Sequence, residues 1–253
     1  MNLILASLIL FMIGYVLNMF YISVLYHRGL AHKSIIMGKR MYAFLGLTGA
    51  WMTGLDPKTW ACMHRLHHMH ADTPEDPHSP TQLGLMGVWI GQYKSYLKIE
   101  EGLSRNDKHY SSLVADIAFD ISFCHRYKLT WLPYLLHFLI AVVISYSFSS
   151  SIPGIAYFVG IMGHPIQGWM VNALAHKYGS RNFETNDDST NNTLVGIFVF
   201  GEGYQNNHHQ FPKSAKFSVK WNEIDTGYLF CLLGEKLGFF QIPRNQTNAS
   251  SPY

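Results

Sequence analysis

Of the chain's 253 residues 48% are hydrophobic and only 14% are charged, against roughly 25% charged in a soluble domain, so a membrane protein fits better, although a mean hydropathy of +0.04 requires a substantial part to face water. The net charge of +3 does not argue for a nucleic-acid partner. Cys62, Cys124 and Cys231 are too scattered for a disulfide framework or a C-x-x-C motif. The length suits one domain, 1–243, and the anomaly is 14 histidines beside 19 Lys plus Arg.

Residues 1–26 hold no Asp, Glu, Lys or Arg, and a helix over 2–26 is long enough for a bilayer core, which takes ~20 residues. No basic residue precedes the apolar run, so a span is expected rather than a secretory signal. The run 41–55 is short for a span and reads as a re-entrant or interfacial helix. Leu113, Val114, Ile117, Ala118, Ile121 and Cys124 recur at helical spacing, with Asp116 and Asp120 on another face; an amphipathic helix is expected there. Leu129 to His176 is again free of Asp, Glu, Lys and Arg. It reads as two spans, 129–146 and 154–175, joined by a turn over Ser147 to Gly154. Short apolar runs follow at Val195 to Phe200 and Tyr228 to Phe240, and the Asn/Ser-rich tail 244–253 is expected to be mobile. Every Lys and Arg falls within 28–128 or 177–244, which puts both regions on the cytoplasmic face under the positive-inside rule. The expected fold is an all-α membrane protein with about three transmembrane helices, one re-entrant segment and a helical cytoplasmic cap.

Four histidine clusters fall at or near the cap-side ends of apolar segments: His27 with His32, His64 with His67 and His68, Asn172 with His176, and Gln205 with His208 and His209. Residues i, i+3 and i+4 share a helix face, so His64, His67 and His68 point together, as do Gln205, His208 and His209. Neutral imidazole suits iron, zinc and copper, and eight such donors exceed what one ion uses; a structural zinc site takes four ligands and usually thiolate. Two metal ions with open positions fit the count. His137 and His164 read as packing residues, His70, His109 and His125 as solvated ones, and His78 as a neighbour standing behind the second cluster. Asp76 and Glu202 are the expected carboxylates that orient ring nitrogens. Trp60, Trp89 and Trp169 are candidate linings for an apolar substrate, while Lys177, Arg181, Lys213 and Lys216 are candidates for holding a phosphate-bearing headgroup or an acidic electron carrier.

HxxxxH, HxxHH and QxxHH, in this order around a charge-free hairpin, resemble the boxes of the membrane fatty acid desaturases, and most closely the stearoyl-type delta-9 branch acting on acyl-CoA or acyl-lipid. Trp60, the stretch Asp72 to His78, Asn172 to His176 and Gly201 to Gln205 carry the likeness further. The resemblance implies a two-iron centre held by His27, His32, His64, His67, His68, His176, His208 and His209, with Asn172 reaching one iron through water. It implies a cis double bond made in an acyl chain with reduction of dioxygen to water, and an electron donor of ferredoxin or cytochrome b5 type, expected to be separate since no such domain is fused here. Two features depart from the family. Gln205 stands where histidine is usual, and the N-terminal part has room for one span where a two-helix hairpin is common. A hydroxylase, ketolase or alkane monooxygenase with similar boxes is the alternative within enzymes. A metal transporter or sensor is the alternative outside them, although transport would place ionisable groups inside the spans.

Overall fold

The charge-free N-terminus forms the longest rod of the molecule. In the computed structural model, which describes residues 2–244, helix α1 runs Leu3–Ala31, capped by Asn2, whose Oδ1 accepts the Ile4 N–H at 2.9 Å. Among the described residues it is the one helix long and apolar enough by itself to cross a membrane. It outruns the 2–26 segment expected, and its last part, Phe20–Ala31, winds as a π-helix. That winding matters for the histidines. The His32 N–H bonds the His27 carbonyl at 3.1 Å, so residues five apart stand one hydrogen-bonded turn from each other. On an α-helix of about 3.6 residues per turn they would diverge.

The second charge-free stretch makes a hairpin of α7 (Leu132–Ser147) and α8 (Ser151–Ile161). Its turn is tighter than expected: only Phe148 to Ser150 separate the helices, Ser150 caps α8 and Pro153 sits in the first turn of α8, where a missing N–H leaves no helical bond unmade. The continuous helix expected over 154–175 is broken. α8 stops at Ile161, and α9 (His164–Trp169) restarts after Met162 and Gly163, then runs on as a π-helical turn, Met170–Leu174. Pro165 has no N–H to offer the Ile161 carbonyl, which accounts for the break. α1 and α8 cross with backbones touching: a Cβ at Gly14 would lie 2.7 Å from the Tyr157 oxygen, and one at Gly160 would strike the Phe11 oxygen. Close approach through small residues is how apolar helices associate without a hydrophobic drive.

α2 (Lys39–Thr53) matches the short apolar run 41–55. It leans on α1 through Tyr21–Thr48 and Tyr26–Thr53 hydroxyl pairs at 2.9 and 3.1 Å, with Phe44 and Leu47 facing outward. The cap then begins. α3 (Pro57–His70) starts at Asp56, whose Oδ1 accepts the Thr59 N–H at 2.8 Å. α4 (Pro80–Ser104), unforeseen from the sequence, starts at a Ser79 cap and kinks at Gly84, where φ is 69°, a conformation glycine takes without strain. Shorter helices complete the cap: α5 (Lys108–Leu113), α6 (Phe123–Arg126), α10 (Thr193–Phe198), α11 (Gln205–Gln210) and α12 (Thr226–Lys236). Strands β1 (Ile36–Met37) and β2 (Phe240–Gln241) pair antiparallel, Ile36 opposite Gln241.

The amphipathic helix expected over 113–124 does not form. Val114, Ile117, Ile121 and Cys124 are buried as their pattern requires, but side chains take the backbone groups. Lys58 Nζ donates to the Ile117 and Phe119 carbonyls at 2.9 and 3.2 Å, Tyr42 accepts the Ala118 N–H, and Asp56 accepts the Ser122 N–H. With those groups already satisfied, no helix is needed to bury the chain there. The core cluster containing Leu25, Tyr26, Leu30, Ala61, Leu66, Ile99 and Val114 joins α1, α3 and α4 beneath the histidines. The tail beyond residue 244 lies outside the described residues.

Candidate metal centre

Four elements bring eight imidazoles together: the π-helical end of α1, α3, the end of α9 and α11. The ring nitrogens fall into two sets, within each of which they lie within 4.8 Å of one another. The larger set is His27, His32, His64, His68 and His208; the smaller is His67, His176 and His209. α3 and α11 each serve both. His64 and His68, four apart, turn to the larger set and His67 to the smaller; His208 and His209 divide likewise. The Nε2 atoms of His27 and His208, of His32 and His64, and of His68 and His208 are 3.0, 2.7 and 3.0 Å apart. Those of His67 and His209 are 3.3 Å apart, and the His176 Nε2 is buried without a hydrogen-bond partner.

The other ring nitrogens explain why these faces converge. His27 Nδ1 meets Glu202 at 2.6 Å, His67 Nδ1 meets Asp76 at 2.9 Å, His176 Nδ1 meets Asp72 at 3.0 Å and His209 Nδ1 meets Asp187 at 2.8 Å. A carboxylate that accepts the Nδ1 N–H fixes the tautomer whose Nε2 lone pair is free to bind a metal ion. Asp76 and Glu202 were expected from the sequence; Asp72 and Asp187 were not. Arg28, fully buried, ties Glu202 at 3.1 Å and Asp225 at 2.9 Å and lies over the Phe217 ring. It locks the end of α1 to α12 and neutralises Glu202, and the sequence reading passed over it.

Burial and then the neighbouring imidazoles hold His32, His64, His68 and His208 well below the ordinary value of 6.5. Burial, against the opposing pull of Asp187, brings His209 down to about 4. His67 goes the other way, because Asp76 outweighs its burial. Burial alone would raise Asp72, but the hydrogen bond and charge of His176 bring it down to about 2. Asp76 and Asp187 are lowered further by His67 and His209 against the same burial penalty. Desolvated imidazoles with ring nitrogens converging, and carboxylates behind four of them, are the kind of donor set that suits divalent transition ions.

Beside the histidines lies a cavity of about 720 Å³. His27, His64, His78, Asn172, Glu202 and Gln205 line its inner end. Trp60 lines it too and stacks on His64 at 5.1 Å. Trp89 lines its outer part, whereas Trp169 stands one layer back, near Trp89 and donating to the Leu85 carbonyl at 2.8 Å. The two amides face elsewhere than their positions in the boxes suggest. Gln205 donates to the Glu202 carbonyl at 2.7 Å, and Asn172 donates to Gln92 at 3.2 Å. His78, buried with neither ring nitrogen hydrogen-bonded, stacks on His67 at 4.5 Å.

Among the remaining histidines, His137 is a packing residue as expected, bonded to Tyr157 and the Trp51 carbonyl. His125 is buried, not solvated; it pairs with Ser122 at 2.8 Å and lines the cavity. Arg181 is consumed by the carbonyls of Thr185, Asp187 and Ser189, which shapes the loop that offers Asp187 to His209.

A helical chain with a histidine cage opening on an apolar cavity defines a narrow class. The sequence matches the model of the fatty acid desaturase family over residues 2–228, and the chain belongs to that family. It is 31% identical to the acyl-CoA 5-desaturase of Anemone leveillei over 222 residues, 84% of this chain and 64% of that relative. It is 31% identical to the Delta-9 acyl-lipid desaturase 1 of Arabidopsis thaliana over 225 residues, covering 86% and 68%. With the sn-1 stearoyl-lipid 9-desaturase of Anabaena variabilis it shares 32% identity over 218 residues, covering 84% and 74%. The chain thus spans somewhat under two thirds of the Anemone relative.

Proposed function

We propose that this chain is a membrane-embedded di-iron oxidoreductase that introduces a cis double bond into a fatty acyl chain at the ninth carbon. One observation carries the reading: two adjoining imidazole sets, of which the larger opens through His27 and His64 on a cavity whose remaining walls are mostly apolar. His27, His32, His64, His68 and His208 would hold one iron ion, and His67, His176 and His209 the other. Asn172 and Gln205 stand at the cavity wall as weak amide donors. A methylene has no acidic proton and no polar handle, so side-chain acids and bases cannot start the reaction. Iron bound there would supply, with dioxygen and two electrons from a donor, the oxidising chemistry that taking two hydrogens from adjacent carbons requires.

The chain's own residues orient, exclude and select. Asp72, Asp76, Asp187 and Glu202 hold the imidazoles in the donor tautomer. Trp60 covers His64 and keeps water from the reacting carbons. The cavity wall holds one pair of carbons against the site. Electrons come from a donor of ferredoxin or cytochrome b5 type. Membrane placement is read as α1, the α7–α8 hairpin and its continuation in the bilayer, α2 dipping from the same face, and the histidine cap in the cytoplasm. Its support is the run of outward-facing apolar side chains on α1, α7 and α8 and the confinement of Lys and Arg to 28–128 and 177–244.

The test is expression in a host lacking its own desaturase, with mass spectrometry locating new double bonds. Monounsaturated chains with the bond at carbon nine are expected. A host that makes hydroxylated chains instead, or none at all while the protein holds iron, contradicts the proposal.

A further inference from the structure

Two helices of the cap, α10 and α12, are apolar on both faces. On α12, Gly227, Cys231 and Gly234 are buried, while Leu229, Leu232 and Leu233 stand 60, 41 and 51% exposed. On α10, Val195 and Gly196 are buried, and Leu194, Ile197 and Phe198 face outward. A helix on the surface of a water-facing cap keeps a polar outer face, and these two do not. At 11 residues α12 is ~16 Å long, too short to cross a bilayer core.

Their packing partners set their depth. Val195, Val199 and Phe200 close on Tyr15, Val16 and Met19 of α1. The Phe200 ring meets Tyr15 at 6.2 Å and stacks on Phe230 of α12 at 5.1 Å, and Phe230 meets Phe20 of α1 at 6.0 Å. A bilayer core takes ~20 residues of helix and α1 starts at Leu3, so Tyr15 to Phe20 fall within the stretch read above as crossing the membrane. A side chain packed at that level and open on its far side faces acyl chains. The charges agree. The acids of this segment turn inward: Asp225 to Arg28, Glu223 to Asn182 and Asn207, and Glu235 to the Ile242 N–H. Lys216, Lys220 and Lys236 are exposed, as cations bordering a membrane-bound face are. Trp221, 96% exposed shortly before α12, has the amphipathic ring that settles at headgroup level.

We propose that α10 and α12 lie in the cap-side leaflet against α1, as a shelf whose outward leucines and Phe198 rest among acyl chains and whose lysines and Trp221 meet the headgroups. The proposal rests on α1 as a span and goes beyond it, because this half of the chain is otherwise read as standing in water. The shelf also braces the larger imidazole set. Asp225, at the head of α12, holds Arg28, and Arg28 holds Glu202 behind His27.

The experiment uses the full chain in vesicles of phosphatidylcholine and phosphatidylglycerol. The three native cysteines are buried, so Ile197→Cys, Leu233→Cys, Leu8→Cys and Ser112→Cys, each at an exposed position, carry one nitroxide apiece. Collisions with oxygen and with a water-soluble nickel chelate are then compared. Labels at 197 and 233 should meet oxygen freely and meet nickel several-fold less than the label at 112, at a depth of ~5–10 Å below the headgroup boundary. The label at 8 tests the span by itself. Nickel reaching 197 and 233 while 8 is shielded overturns the shelf and leaves the span. Nickel reaching all three overturns both. Shielding at 197 and 233 with 8 open supports the shelf and denies the span. Labels at 197 and 233 closed to oxygen and nickel alike mean that a second copy or another protein covers the face, which also overturns the proposal. Turnover enters none of these readings, so a chain that fails to desaturate still decides them.

Discussion

The two imidazole sets sit side by side and share α3 and α11, yet they are held by different means. His67, His176 and His209 each rest Nδ1 on an aspartate of their own. In the larger set a carboxylate, Glu202, holds His27, and Arg28 matches its charge. The rings there are also fixed by packing on one another, with Trp60 against His64 and Phe217 against His208. A cation in the smaller set therefore feels three carboxylates through three ligands. A cation in the larger set would meet five donors, with the Glu202–Arg28 pair behind one of them. The two sites would differ in donor number and in the carboxylates set behind them.

That contrast can be broken first at the smaller set. His67→Ala removes one of three donors and leaves Asp76 without its partner. Desaturation should fall by more than ~100-fold, beyond the usual cost of losing an outer partner, and iron content should drop from two to about one per chain. Unsaturated product persisting in this variant removes His67 from the ligand set. Glu202→Gln strikes the larger set and the buried Arg28 together. Arg28 keeps Asp225 at 2.9 Å, so what is lost is the charge-assisted bonding at Glu202, about 1.5–3 kcal/mol, and the melting temperature should fall by a few degrees; an unchanged melt denies the Arg28 lock. Asp187→Asn should be milder. It keeps the fold and weakens one ion by ~10–100-fold, so a chelator titration should become biphasic. A single phase shifted as a whole would mean that the two sites are not distinguished by charge.

Acid stability offers a test that needs no substitution. His32, His64, His68 and His208 titrate well below 6.5 in the folded chain. As pH falls through ~6.5 the unfolded chain takes up protons that the folded chain refuses, so stability falls with pH. Asp72, Asp76 and Asp187, lowered from 3.8, add stability that is present above that value and lost as pH drops toward their folded ones. His67, raised by Asp76, opposes with one group against four. Each group contributes at most ~1.4 kcal/mol per pH unit. The metal-free chain should melt at progressively lower temperature from pH 7 to pH 4, and the loaded chain should release iron over the same range. A flat melting profile contradicts these shifts.

The sequence makes the histidine clusters and the apolar runs legible because both depend on short periodicities. Spacings of three and four place His64, His67 and His68 on one face whatever surrounds them. His27 and His32 are five apart, and only the π-winding of α1 joins them, a tertiary adjustment that no α-helical period reveals. Asp72 and Asp187 were missed because neither lies at a fixed offset from His176 or His209; a rule that each ligand imidazole needs a carboxylate would have sent the search toward them. The segment 113–124 kept its buried pattern but lost its helix, since Lys58, Tyr42 and Asp56 occupy its backbone groups from afar. α4 was unseen because its exposed apolar stripe blurs the usual contrast between two faces.

Metal stoichiometry tests the two imidazole sets most directly. Elemental analysis of the purified chain, with Mössbauer spectroscopy of iron-57-loaded protein, should find two iron ions per chain in two distinct environments, one of them lost selectively in Asp187→Asn. A chain that takes up no iron, or binds a single ion in one environment, contradicts the pair of imidazole sets as the seat of the chemistry.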